Sequence, residues 1–227
     1  MAAQKGKNMD KLVRKIEVPL AQKAISDAGL YIARPEDADL LAEISMDAYR
    51  EYPLHRWLTN GRYDEKASKK IMKITLETMA RDGVIYGDSA NPEGFAVWLP
   101  LGFTGSKTIP FLTHGGMGLI AHSGPSIIGR LLTYEKYAME LKKKYTANVD
   151  WYLYNLSVSQ KAQGQGIAGR LLRPMLAFCD REKMVCYLET NKESNVAMYE
   201  HFGFSLKEKG LIPKSDVMHY AMTRQPL

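Results

Sequence analysis

Hydrophobic positions along the chain alternate between two periods. Leu40, Leu41, Ile44 and Ala48 recur at helical spacing within Asp37–Tyr49, and Ile71, Ile74, Leu76 and Met79 do so within Asp64–Arg81. Short apolar runs bounded by turn residues predict strands at Tyr31–Ala33, Val84–Asp88, Gly94–Leu99, Asp150–Val158, Met184–Glu189, Phe204–Lys209 and Val217–Met222. Tyr52–Trp57 is aromatic and broken by proline, so it reads as a loop or short helix. Three more helices are expected. Ile127–Tyr145 ends in Lys142-Lys143-Lys144, which suits the negative end of a helix dipole. Gly166–Lys183 puts Leu171, Leu172, Met175, Leu176 and Cys179 on one face, with Pro174 expected to kink it. Asn195–Phe202 is stopped by Gly203. Hairpins and βα units in alternation predict a mixed α/β domain around one sheet, without a linker to divide it.

Composition changes this picture little. The chain has 227 residues, 45% apolar and 25% charged, which is ordinary for a globular protein. Its net charge is +6, and residues 1–24 hold six basic side chains against two acidic ones. We therefore read 1–28 as a basic, partly helical segment ahead of a single domain spanning 29–227, and expect no nucleic-acid partner. No apolar signal region opens the chain, and Cys179 and Cys186 form no disulfide framework, so a reducing, cytoplasmic setting is expected. The five histidines have no ligand spacing, and no metal is expected. Between Lys107 and Arg130 no residue is charged, a length that would suit a membrane span. Two prolines and five glycines there argue instead for a buried or groove-lining part of an insertion over 101–149, and against a membrane partner.

The segment Asn155–Arg170 carries the chemistry. A strand ends at Val158, and after a short polar stretch Gln163, Gly164, Gln165, Gly166, Ile167, Ala168 and Gly169 open a helix. Glycines let the backbone approach a bulky anion, and the free amides of the helix's first turn point at it. Gly164–Gly169 matches GxGxxG literally, and Glu189 stands 20 residues beyond it, as in a dinucleotide fold. Three features argue against that reading. Ser159–Gln163 separate strand from glycine, only 58 residues remain after Gly169, and those residues do not repeat βαβ units.

Val158, the glycine run and Arg170-Leu171-Leu172 together resemble the acyl-CoA loop of the GNAT superfamily of N-acetyltransferases. Its Gln/Arg-x-x-Gly-x-Gly/Ala signature is met by Gln163, Gly166 and Ala168. A second likeness follows in order: Leu188-Glu189-Thr190-Asn191, then Ser194–Glu200, then Phe202-Gly203-Phe204. The likeness covers about 150–223 and extends to 31–100. Trp151-Tyr152-Leu153, Leu188-Glu189-Thr190 and Met222-Thr223-Arg224 look most like the branch containing puromycin N-acetyltransferase. The resemblance implies a mixed, mostly antiparallel central sheet with a splayed parallel strand pair, flanked by helices.

It also implies acetyl-CoA as co-substrate and a primary amine, of a small molecule, as acceptor. The amides of Gly164–Gly169 would hold the pyrophosphate, with Arg170 adding charge or facing solvent. Backbone groups of Leu156 and Val158 would pair with the pantetheine arm, and the N–H near Leu156 or Ser157 would polarise the thioester carbonyl. Glu189 is the candidate general base and Tyr199 the candidate general acid for the leaving thiolate. Asn195, one helical turn before Tyr199, would bond the pantetheine end. No nucleophile is evident, so direct transfer is expected. Tyr49, Tyr52, Trp57, the insertion and the hairpin near Leu211–His219 would set specificity or close the core. A peptide N-acetyltransferase and a non-catalytic acyl-CoA sensor are the alternatives, and the oligomer would be a monomer or homodimer.

Overall fold

The computed structural model describes residues 17–61, 65–101 and 126–227. Residues 1–16 of the basic segment and 102–125 of the insertion, with His114 and His122, lie outside them. The strands are β1 (Tyr31–Ile32), β2 (Val84–Gly87), β3 (Gly94–Pro100), β4 (Trp151–Val158), β5 (Cys186–Thr190), β6 (Ser205–Leu211) and β7 (Met218–Arg224). Helices are α1 (17–27), α2 (Ala38–Tyr49), α3 (Pro53–Leu58), α4 (Glu65–Met79), α5 (Ser126–Tyr145), α6 (Ile167–Arg181) and α7 (Glu193–His201), with 3-10 turns at Pro35–Asp37 and Gln160–Ala162. Tyr52–Trp57 thus resolves as a helix, started by Pro53, whose missing N–H costs nothing in a first turn.

The strands form one sheet in the order β1-β2-β3-β4-β5-β7-β6. All neighbours are antiparallel except β4 and β5. This rules out a doubly wound parallel sheet and matches the expected mixed architecture. One face buries Val84, Tyr86, Trp98, Trp151, Leu153 and Leu188 under Ala21 and Ile25 of α1 and Leu171, Leu172 and Met175 of α6. The other buries Ile85, Phe95, Val97, Tyr152 and Tyr187 under Leu41 of α2 and Leu76 of α4. Each such leucine contributes roughly 2 kcal/mol. With both faces covered, β2 and β3 are buried throughout and lack the apolar/polar alternation of a solvated sheet. β6, by contrast, is a charged, largely exposed edge, which discourages pairing with another chain.

Two irregularities position the site. The β3–β4 register shifts between Val97 and Trp98, so Tyr154 is an extra residue on β4. β4 pairs with β5 only from Trp151–Cys186 to Leu153–Leu188. Beyond that point the two parallel strands separate, and β4 continues to Val158 paired to β3 alone. α6 spans Ile167–Arg181 with Pro174 inside it. Proline there removes only the hydrogen bond to the Arg170 carbonyl, and the buried leucines on either side hold the helix down.

Candidate active site

The glycine loop sits where β4 leaves β5. Gln160 N–H donates to Asp47 Oδ2 of α2 (2.6 Å), and Ser159 N–H donates to the Glu93 carbonyl (2.8 Å). Ala162 and Ile167 are buried on either side of the loop. Between these anchors Gly164 and Gly166 both take φ of +79°, and a Cβ added at either would meet nothing within 4 Å. The loop is therefore left-handed and open on one side. Gly166 is the N-cap of α6 and supplies no side chain to its first turn, so the amides of Ile167, Ala168 and Gly169 remain for an anion. Gln163 Nε2 donates to the Val158 carbonyl (3.1 Å) and Gln165 Nε2 to the Lys161 carbonyl (3.1 Å), so both glutamines brace the loop from within.

Three other sequence candidates have structural ties of their own. Arg170 Nη2 donates to the Asp88 carbonyl (3.2 Å), yet its side chain is 58% exposed beside the loop. Ser157 is fully buried, its Oγ donating to Asn155 Oδ1 (2.8 Å) near Ser45, and its carbonyl faces Gly94 of β3 rather than the separation of the strands, so it is not the expected amide donor. Leu156 and Ser157 pair with Ala96 and Phe95 of β3 and have no strand on their other side. Asn195 Nδ2 donates to Thr190 Oγ1 (3.1 Å), which also meets the Tyr52 hydroxyl (3.0 Å). Asn195 thus ties α7 to the end of β5.

Tyr199 is 6% exposed and stands edge-on to Phe204 with ring centres 5.8 Å apart. Burial holds its hydroxyl protonated well above the ordinary tyrosine range, and Tyr49 and Tyr52 add to that. The group therefore carries a proton at neutral pH and feels the tyrosines of the opposite face across the opening. Those two pack edge to face at 5.1 Å. Trp57 lies apart from them, at the junction of α3 and α5, where Arg130 Nη1 donates to its carbonyl (2.9 Å).

Glu189 is the first residue of β5 beyond the paired stretch, and its side chain is only 5% exposed. The Tyr187 hydroxyl donates to its Oε1 (2.7 Å) and the Tyr152 hydroxyl to its Oε2 (3.3 Å). Tyr134 and Tyr137 of α5 lie edge-on to His219 of β7. Lys142 Nζ stands 4.1 Å from the Tyr152 ring centre. Glu189 thus occupies a tyrosine-lined hollow on the sheet face opposite Tyr199.

Sequence reasoning missed most of this wall. Tyr152 and Tyr154 are spaced to share a face, but Tyr134, Tyr137, Tyr187 and His219 come from three other elements. Gly94 was missed too: a Cβ there would lie 2.8 Å from Ile167 Cγ2, so β3 must be bare where α6 begins. Among the described residues no group of three or more His, Cys, Asp or Glu is placed to hold a metal. No described helix is long and apolar enough to cross a membrane. Cys179 and Cys186 are buried free thiols, and their mutual hydrogen bond, with burial, keeps Cys179 protonated.

Known proteins carry the same architecture. Residues 120–206 match the family model of the acetyltransferase (GNAT) domain. An uncharacterized N-acetyltransferase of Schizosaccharomyces pombe is 44% identical over 54 residues, which are 24% of this chain and 22% of that protein's length. A solved structure of histone acetyltransferase HPA2 and related acetyltransferase from Corynebacterium glutamicum superimposes with a TM-score of 0.58 at 20% identity, over 87% of this chain and 96% of that one. PaiA N-acetyltransferase from Thermoplasma acidophilum, in complex with coenzyme A, gives 0.50 at 14% identity, over 86% and 97%. The chain therefore has the fold of the GNAT acetyltransferases, and its residues 120–206 match the model of their domain.

Proposed function

We propose that the protein transfers an acetyl group from acetyl-CoA directly to a primary amine of a small molecule. The observation that carries this reading is the separation of β4 from β5 beside an open glycine loop, with Glu189 on one face and Tyr199 on the other. A thioester arm lying along the unpaired edge of β4 would bring its carbonyl between these two groups. The coenzyme A bound by the Thermoplasma acidophilum protein of like fold supports the choice of co-substrate.

In this mechanism the loop amides of Gly164–Gly169, with Arg170, hold the pyrophosphate. The backbone of Leu156 and Val158 aligns the arm and donates to the carbonyl oxygen as it gains negative charge. The amine nitrogen attacks the carbonyl carbon and a C–N bond forms. Glu189 takes the proton the nitrogen gives up, directly or through one water, and the C–S bond breaks. Tyr199, kept protonated by burial, gives its proton to the departing thiolate. Asn195 positions the end of β5 through Thr190. The catalytic domain spans 29–227, including the 101–149 insertion, with the basic segment 1–28 ahead of it. Three tripeptides around Tyr152, Glu189 and Thr223 favour the puromycin N-acetyltransferase-like branch within the superfamily. A closed wall of tyrosines around Glu189 favours a small acceptor over a peptide.

Calorimetry with acetyl-CoA and with NAD, on wild type and Gly166→Glu, tests the reading. Micromolar acetyl-CoA binding that the substitution abolishes, with no NAD binding, is expected. NAD binding, or acetyl-CoA binding indifferent to Gly166→Glu, would overturn it.

A further inference from the structure

His219 is fully buried in β7, and its two ring nitrogens have different surroundings. Asn191 Nδ2 donates to the Met218 carbonyl (2.9 Å) and lies 3.1 Å from His219 Nδ1. The carbonyl accepts only, which identifies that Asn191 atom as the amide nitrogen. Its second hydrogen then points to Nδ1, so Nδ1 is the bare, accepting nitrogen and the ring proton sits on Nε2. The Asn191 main chain is held as well, because its backbone N–H donates to the Tyr52 hydroxyl (2.7 Å). Nε2–H has no hydrogen-bond partner although it is sealed from solvent. It faces Glu189 Oε1 at 3.9 Å, too far for a hydrogen bond and close enough for one to form with a small side-chain shift. A buried donor left unmade beside a candidate base is the kind of exception that marks a working site.

We propose that His219 is a positioning residue for Glu189: its Nε2–H, set by Asn191, holds the carboxylate in place as the attacking amine approaches. This rests on Glu189 accepting the amine's proton, as inferred above. The donors that already hold Glu189 are Tyr187 and Tyr152, so His219 completes a third side. The ring itself stays neutral, because burial lowers its proton affinity and Lys142 adds to this, outweighing Glu189. Charged and titratable groups around the pair are Tyr52 between α2 and α3, Tyr152 and Tyr154 of β4, Tyr187 of β5, and Tyr134, Glu135, Tyr137 and Lys142 of α5.

Long-range proton–nitrogen NMR of the full chain, without ligand, reads the tautomer. His219→Phe assigns the resonance by its loss. The expected result is a neutral ring protonated at Nε2 at pH 7, whose nitrogen shifts move in Glu189→Gln. A ring protonated at Nδ1, or shifts indifferent to Glu189→Gln, overturns the proposal. Steady-state kinetics then reads the role, with acetyl-CoA and a primary alkylamine that the wild type acetylates. His219→Phe is expected to lower kcat about tenfold, short of the ~10²-fold or more for losing a general base. KM for acetyl-CoA stays unchanged. His219→Gln, which keeps an N–H donor and guards against a folding defect, recovers most of the rate. Wild-type kcat in His219→Phe, or a lost rate that His219→Gln does not recover, sinks the positioning role alone. Wild-type turnover by Glu189→Gln sinks the base assignment beneath it.

Discussion

At Gly164 and Gly166 the backbone is left-handed and the space beside it is empty, so conformation and ligand contact separate cleanly. Gly166→Ala should cost about 1 kcal/mol of stability, from placing a Cβ at positive φ. Acetyl-CoA affinity should drop far more, because the methyl group occupies the face the anion approaches. Thermal melting and calorimetry on the same preparation check both. A variant that melts much earlier yet binds normally would mean the loop serves folding alone. Tyr199→Phe removes one hydroxyl from a buried ring and leaves its contact with Phe204. Its kcat should fall about a hundredfold with acetyl-CoA binding intact, as expected for loss of a general acid.

Among the elements, β3, β4 and α6 meet at Gly94. An added Cβ would lie 2.8 Å from Ile167 Cγ2 and 3.0 Å from the Ser157 carbonyl oxygen. The side chain can yield, but the carbonyl belongs to the sheet. Gly94→Ala should therefore destabilise by about 1–3 kcal/mol, the usual range for overpacking, and displace the start of α6. Denaturant midpoints measure the first effect and acetyl-CoA affinity the second. At the far end of α6, Asp180 accepts two hydrogen bonds from Arg224 of β7 (2.7 and 2.8 Å), and Arg224 Nε also donates to the Phe202 carbonyl. This clamp ties α6, α7 and β7 together. The guanidinium holds the Asp180 carboxyl below its ordinary range, so its stabilisation is present above about pH 4 and lost as pH falls further. Asp180→Asn should lower the melting temperature at pH 7 and flatten the dependence below pH 4.

Over the whole molecule, acid sensitivity begins earlier, with one buried histidine, His219, and one half-buried, His55. Burial lowers the proton affinity of both His55 and His219, each against the ordinary value of 6.5. Below that pH the unfolded chain takes up protons that the native state refuses, so stability falls as pH drops from about 6.5. Each histidine adds a slope of at most about 1.4 kcal/mol per pH unit. Denaturant titrations between pH 7 and 5 should show this fall, with a shallower slope in His219→Phe. An unchanged slope would mean that His219 titrates normally.

The two motifs in order, the glycine run and the Leu188–Phe204 stretch, were legible because each is local: their geometry depends on neighbours a few residues away. The same holds for most helix and strand positions, since an amphipathic period survives in any context. β2 and β3 were legible only as apolar runs, because a strand buried on both faces has no period to read. Local patterns thus specified the elements, their α/β class and a glycine loop at the start of α6. Only the tertiary structure decided that β4 parts from β5 after Leu153, that Tyr199 and Glu189 stand on opposite faces of that parting, and that α5, β4, β5 and β7 enclose Glu189 with tyrosines and His219. These are contacts between residues tens of positions apart, created by sheet order and burial, and no local pattern of side chains encodes them.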